Sequence, residues 1–556
     1  MNEQMAPVFF YLLLSAGLTS GVGTAWRGEA IGPSVPQTQG AGGDLLVDVF
    51  LLAGQSNAGG RGAISEVSDE SILRNEGVML YHSTQLRSGQ PALTWTTLRP
   101  ASNSDGYFGP EIGFGNRMAD LYPDRQIAII KHAVGGTNLG ADWNPGANAD
   151  DASHFGPQFR TFVQTVEAGL AALTAQGYTP VIRGMLWQQG ERDARDSSYG
   201  PAYARNLAHF VKQVRGQFDA ANMPFVYGQV LPVALTGYAY RDQVRQGQLD
   251  VDQDAGTIHA TDGARVVLTD DLAMNADNLH ISAAGLLELG NRFAEAIGSV
   301  VVAGAFDFDA NGKIDCDDVC AMVQHWHENE PTYDVVPLLF GDGIVDVQDL
   351  AVLADLLGRD LRLLAHWPFD EADGNTASDR ARGSDGTLRG QPRWQPDGGF
   401  VNGAIEFDGI DDYVDTPFVP SPSLGPVTVF VWVAGGEPGQ VVVSQADGAN
   451  WLMLHPADGT VMTDLKGVGR SGRTLTSQIS MADGNWHQLG LLWDGTNRLL
   501  YVDGVQVAGD TQTNLAPASG GLRIGAGADP EEESFWLGLI DDVRVYDRPV
   551  KPDGGN

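Results

Sequence analysis

Four short patches of the sequence hold residue types suited to acyl-transfer chemistry. The first is Gly54-Gln55-Ser56-Asn57. A serine on a turn leaving a strand projects its hydroxyl from a sheet edge, and amides at the start of the next helix face an anion. By itself the tetrapeptide also reads as a helix N-cap serine, and it is not a G-x-S-x-G elbow. The second patch is Gly135-Gly136-Thr137-Asn138. Paired glycines expose backbone N–H groups and admit a substrate oxygen closely. The third, Trp187-Gln188-Gln189-Gly190-Glu191, offers a glutamine amide as a donor to an oxyanion. Glu191 there orients a neighbour or caps a helix. The fourth is Asp277-Asn278-Leu279-His280. Asp and His three apart lie side by side on one turn. The carboxylate then holds the imidazole tautomer while the other ring nitrogen takes a serine proton. The same D-x-x-H spacing recurs at Asp151–His154, in a loop rich in Gly, Asn and Asp. Spacing alone does not choose between the two copies.

The elements around these patches alternate. Strands are expected over Leu45–Ala53, Gln126–Lys131, Val181–Trp187, Pro224–Leu231 and Val266–Thr269. Helical periodicity marks Gly113–Leu121, Phe159–Leu173, Tyr203–Phe218 and Ala283–Ile297. Strand–helix alternation predicts a parallel sheet covered by helices on both faces. Ligands bind such sheets beyond the carboxyl ends of the strands. Three patches follow expected strands, and the fourth precedes the last helix.

Longer stretches carry a resemblance: LLAGQSNAGGRG (51–62), FGPEIGFGNRMA (108–119), IAIIKHAVGGTNL (127–139), MLWQQGERDA (185–194) and MNADNLHIS (274–282). In this order they resemble the SGNH hydrolases, and within them the sialate O-acetylesterase/acetylxylan esterase group, carbohydrate esterase family 6. The resemblance covers residues 48–297. It implies a flavodoxin-like α/β domain over 45–298 with Ser56 as nucleophile and Asp277 and His280 as partners. It also implies an oxyanion hole from the Ser56 and Gly135 or Gly136 amides with Gln189. The implied activity is hydrolysis of acetyl esters on carbohydrates, with no catalytic cofactor.

After residue 300 the pattern changes. Asp307, Asp309, Asn311, Gly312, Lys313, Asp315 and Asp318 have the spacing of an EF-hand-type loop, with oxygens at positions 1, 3, 5, 9 and 12 and glycine at 6. Asp307, Asp309, Asn311, Lys313, Asp315 and Asp318 are the candidate calcium ligands. A second copy keeps Asp342, Gly343, Asp346 and Asp349 but has Leu338 and Phe340 at positions 1 and 3. Two such loops over 305–358 resemble a dockerin module, which implies a cohesin as partner. Residues 363–550 read as short β runs separated by Gly, Asp and Asn turns. AIEFDGIDDYVD (404–415), NWHQLGLLWDGTNRLLYVDGVQVA (485–508) and LIDDVRVYDRPV (539–550) resemble a laminin-G-like, concanavalin-type jelly roll. Such domains bind glycans or proteins, often with calcium, and Asp541 and Asp542 are candidate ligands. Trp432, Trp451 and Trp486 are expected in its core.

The chain has 556 residues, too many for one core. Its 43% hydrophobic and 19% charged residues fit globular domains. A net charge of −36 repels nucleic-acid phosphates and anionic lipid and makes both poor partners, so neither a nucleic acid nor a membrane span is expected. The run Ala6–Leu18, followed by small residues up to Ala25, predicts a signal peptide over 1–25, although residues 1–5 lack Lys and Arg. Residues 26–44 read as a linker, and no segment approaches the length of a membrane span. The expected location is therefore extracellular or periplasmic. Cys316 and Cys320 stand four apart, a marginal spacing for a disulfide, and two thiols make a poor zinc site. The expected product is a secreted carbohydrate acetylesterase. The rivals are a glycan-binding or adhesion protein with an inactive esterase-like domain, and an esterase of small molecules or lipids.

Overall fold

The computed structural model describes residues 45–552 apart from 147–151, 256, 258, 421, 423, 424, 468–471, 482, 513, 514, 517–519 and 532. The expected signal peptide, the linker and Asp151 lie outside the described residues.

Strand β1 (Leu45–Gly54) buries side chains on both faces. Val47, Val49, Leu51 and Ala53 enter one core, and Phe50 and Leu52 the other. Two buried faces explain why the segment is an apolar run rather than an alternation. Its one charged residue, Asp48, is held by Arg125 at 2.8 Å and Arg183 at 2.7 Å. A one-turn helix α1 (Ser56–Gly59) leaves the strand. The sheet is completed by β2 (Asn75–His82), β3 (Thr96–Leu98), β4 (Ile127–Ala133), β5 (Tyr178–Gln188), β6 (Phe225–Gly228) and β7 (Ala264–Val267). The order is β3-β2-β4-β1-β5-β6-β7, parallel except for the edge strand β3.

Helices α2 (Glu111–Leu121) and α6 (Ala283–Ile297) cover the Phe50 face, whereas α3 (Pro157–Ala175) and α4 (Tyr203–Gln217) cover the Val49 face. The sequence reading missed β2, β3 and a further helix, α5 (Arg241–Val251). β2 begins with exposed Glu76 and Gly77, which hide its strand pattern. α5 is mostly polar. It packs through Gly247, where a Cβ would stand 2.8 Å from the Ala204 backbone, and through buried Gln248.

Beyond the sheet, α7 (Cys316–Gln324) and α8 (Val347–Leu356) share a small core with Phe306, Ile314 and Val345. Asp315 and Asp346 cap them with matching capping boxes. The second acidic loop differs from the sequence expectation. Asp334 accepts from the Asp342 and Gly343 amides at 2.9 and 2.7 Å, as Asp307 accepts from Asn311 and Gly312 at 3.0 and 2.9 Å. The first position is therefore taken by Asp334, not Leu338. The longer stretch that follows carries Phe340 onto the α/β domain, edge-on to Tyr122 at 4.6 Å and under the Arg125 guanidinium at 4.3 Å. Cys316 and Cys320 are free and exposed.

The remainder is a sandwich of two eight-stranded sheets with antiparallel pairings around one core. Trp451 is in that core, as expected. Trp432 is not: it is half-buried and stacks on exposed Phe400 with ring centroids 3.5 Å apart. Trp486 is also only half-buried.

Candidate active site

Three neighbouring strands end at the same level. Gly54 of β1 is in register with Ala133 of β4 and Gln188 of β5. The patches Gln55–Asn57, Val134–Asn138 and Gln189–Glu191 therefore leave the sheet side by side, at the carboxyl edge where ligands bind. Gly54 is required there. At φ 141° a Cβ would stand 2.2 Å from the Gln188 carbonyl oxygen. The tight exit lets Gln55 N–H donate to that oxygen at 3.0 Å and starts α1 at Ser56.

The 274–282 loop meets the same point from the other side. His280 Nε2 lies 3.1 Å from Ser56 Oγ, and His280 Nδ1 lies 2.6 Å from Asp277 Oδ2. Asp277 Oδ1 also accepts from the Leu279 and His280 amides at 3.0 and 2.9 Å. Burial pushes the Asp277 carboxyl up, but these hydrogen bonds outweigh it and hold the group below its ordinary value. Asn57 fixes the loop to the nucleophile turn. Its Nδ2 donates to Glu191 Oε1 at 2.7 Å and to the Leu279 carbonyl at 3.2 Å, and its Oδ1 accepts from Ile281 N–H at 3.0 Å. His154 is exposed on a separate turn, with Ser153 Oγ 3.1 Å from its Nδ1. The structure brings Ser56, His280 and Asp277 together, with His154 apart from them.

Gly135 lies against Ser56. A Cβ on Gly135 would be 3.4 Å from Ser56 Cβ. Neither the Ser56 nor the Gly135 amide has an acceptor among the described residues. Gly136 supplies a positive φ of 74°, with open space where a side chain would stand.

Gln189 is a correction to the expected oxyanion hole. Its side chain is fully buried beneath the site. Nε2 donates to Asp193 Oδ2 at 2.6 Å and to the Thr137 carbonyl at 2.9 Å, so both of its hydrogens are committed. Oε1 accepts from Tyr203 O–H at 3.1 Å. The amide joins the loops after β4 and β5, with a longer contact to Gln55 Oε1 at 3.4 Å and none to Ser56.

Two buried carboxyl groups, given no catalytic role from sequence, lie under the site. Burial pushes the Glu191 carboxyl up to about 7, against the pull of its Asn57 hydrogen bond, and among the described residues Glu191 Oε2 has no hydrogen-bond partner. Burial also raises Asp193 to about 6. Both stand in the stretch MLWQQGERDA (185–194), which was the available signal; nothing local marks either as buried.

Residues 46–299 match a family model described as carbohydrate esterase, sialic acid-specific acetylesterase. Residues 408–553 match one described as concanavalin A-like lectin/glucanases superfamily. The chain is similar to a probable carbohydrate esterase of Arabidopsis thaliana, 26% identical over 265 residues, covering 45% of this chain and 89% of that protein. Among solved structures it is similar to NanS, with 16% identity, a TM-score of 0.34, and coverage of 46% of this chain and 97% of that one. It is also similar to a carbohydrate acetylesterase from Xanthomonas citri, with 13% identity, a TM-score of 0.34, and coverage of 89% and 78%. Among the described residues no helix is long and apolar enough to cross a membrane.

Proposed function

We propose that this chain is a secreted carbohydrate O-acetylesterase that uses Ser56, His280 and Asp277 as a catalytic triad. The supporting observation is the continuous path from Asp277 through His280 to Ser56, at 2.6 and 3.1 Å, beside two free amides. Ser56 Oγ attacks the acetyl carbonyl carbon while His280 Nε2 takes its proton. Asp277 holds the Nδ1–H tautomer and balances the imidazolium. The tetrahedral oxygen accepts from the Ser56 and Gly135 amides. Collapse expels the sugar hydroxyl, which takes the proton from His280. Water, deprotonated by the same imidazole, then releases acetate.

An aryl acetate series tests the reading. Hydrolysis is expected to fall as the acyl chain lengthens, and Ser56→Ala to cost several orders of magnitude in kcat. Preference for long acyl chains, or near-normal turnover by Ser56→Ala, overturns it.

The loop at 307–318 belongs to the same proposal as a structural calcium site. Carboxylate oxygens of Asp307, Asp309 and Asp318 lie within 4.8 Å of one another, which fits a hard cation. Asn311, Asp315 and the Lys313 carbonyl would complete the set. A dockerin-type role for α7 and α8, with a cohesin as partner, goes with it and is tested by binding to immobilised cohesins.

A further inference from the structure

A cleft of about 1240 Å³ lies between the α/β domain and the sandwich, lined on one side by α4 and on the other by sandwich loops. Arg205, Lys212 and Arg215 enter it from α4, and Arg382 and Arg548 from the sandwich. Five cationic groups there face three carboxylates, Asp219, Asp262 and Asp547. Two of these are engaged. Asp262 accepts from the Ala303 and Gly304 amides at 2.9 and 3.0 Å, and Asp547 from Arg548 Nε at 2.7 Å. The chain as a whole carries 34 Lys and Arg against 70 Asp and Glu. A recess with surplus positive charge therefore opposes the rest of the molecule.

The cations have capacity to spare. Arg205 and Lys212 form no hydrogen bond or ion pair among the described residues. Arg215 contributes charge rather than a free donor: its Nε donates to the Met223 carbonyl at 2.9 Å, and its Nη2 is buried against Gly263. Arg382 spans the two walls, with Nη1 on the Ala260 carbonyl at 2.7 Å and Nε on the Leu363 carbonyl at 3.2 Å. Ala202, Ala208, Val419 and Pro426 lie among the charges and suit the C–H faces of sugar rings.

We propose that this cleft binds a polysaccharide segment through anionic substituents, carboxylate or sulfate, apart from the Ser56 site. It rests on the esterase reading only for the carbohydrate nature of the ligand. A nucleic acid is disfavoured, because the small cationic surplus cannot offset the repulsion of a densely charged backbone by a chain of net charge −36. Widely spaced anions on a neutral sugar chain fit that surplus.

The test uses the full chain with Ser56→Ala, which cannot deacetylate its ligand. Calorimetric titration at two salt concentrations compares a xylan fragment bearing occasional glucuronate side groups, a sparsely sulfated galactan fragment and a neutral xylan fragment. At least one anionic fragment should bind with a Kd that rises with salt and rises tenfold or more in Arg205→Glu/Lys212→Glu. Binding confined to the glucuronate-bearing fragment assigns carboxylate as the recognised group, and binding confined to the galactan assigns sulfate. Arg205→Gln/Lys212→Gln serves if charge reversal lowers the melting temperature. Equal affinity for the neutral fragment, affinity unchanged in the folded variants, or preference for a DNA oligonucleotide overturns the proposal. Aryl acetate hydrolysis by the chain with Ser56 intact is read separately, so the two proposals fail independently.

Discussion

Glu191→Gln isolates the effect of a buried acid beside the nucleophile turn. The substitution keeps the shape and the oxygen that accepts from Asn57, and removes the ionisable group. In the folded protein burial raises the carboxyl from 4.5 to about 7. The folded state therefore holds a proton that the unfolded chain has released across that range. A group raised in this way favours the folded state below 4.5, and the benefit is lost as pH rises toward 7. The interval is roughly 2.5 pH units, and at ~1.4 kcal/mol per unit it makes about 3 kcal/mol of pH-dependent stability. In a domain of this size that is about 5–10 °C in Tm. Scanning calorimetry between pH 4.5 and 8 measures it, with the esterase transition identified by loss of hydrolysis after heating to each temperature. Asp193, raised by burial from 3.8 to about 6, adds to the fall, whereas His132, lowered by burial from 6.5 to about 4, opposes it below pH 6.5. The readout is therefore the difference between the two proteins: relative to the variant, the unaltered chain should lose about 3 kcal/mol between pH 4.5 and 8. Parallel curves for the two proteins would falsify the assignment of the slope to Glu191.

The remaining expectations concern the triad, Gln189 and the calcium loop. His280→Ala should reduce kcat/KM for an aryl acetate by about 10⁴-fold, near 5 kcal/mol, whereas His154→Ala should change it by less than about threefold; the reverse ranking would dismantle the triad. Gln189→Leu should lower stability by about 2 kcal/mol, because it removes a donor from buried Asp193 and from the Thr137 carbonyl, while the Tyr203 hydroxyl keeps the residue-189 carbonyl and Asp193 keeps the Leu139 and Gly140 amides. An undiminished Tm with a thousandfold fall in kcat would instead return Gln189 to the oxyanion hole. Calcium should raise the melting temperature of the 305–358 region and Asp318→Ala should abolish that rise, with aryl acetate hydrolysis unaffected in both cases. Loss of hydrolysis on chelation, with the α/β domain still folded, would contradict a purely structural ion.

What was legible in the sequence was periodic or local. β1 could be read because both of its faces are buried, and the Ser56 turn because Gly54 and the strand end are adjacent in sequence. The partnership of Asp277 with His280 is equally local. Its choice over Asp151–His154 was not, since that depends on which loop arrives beside Ser56 across 224 positions. The Gln189 error has the same origin. A motif shows that an amide stands after a strand, but its direction is set by Asp193 and Tyr203, four and fourteen residues on. Asp334 was missed because the extra residues after it break a fixed spacing, and the docking of Phe340 on Tyr122 and Arg125 is a long-range contact with no local pattern.

The carboxyl groups around Ser56 sort by environment, and this sorting supports the proposed roles. Asp277 is half-exposed and its hydrogen bonds favour the ionised form, so it remains a charge able to balance an imidazolium at neutral pH. Glu191 and Asp193 lie under the loops, where burial favours the protonated form. A carboxylate beneath the serine opposes an oxyanion forming above; Asp193, at about 6, is mostly ionised at pH 7, with its charge held by the Gln189, Leu139 and Gly140 donors. With Glu191 near half protonation at pH 7, that opposition is reduced, while its Oε1 still accepts from Asn57 and steadies the loop that carries His280. Distance and solvent access separate the three acids: of them only Asp277 reaches His280 Nδ1, at 2.6 Å, and only Asp277 is half-exposed, whereas Glu191 and Asp193 are buried. These leave Asp277 as the proposed partner of the catalytic base.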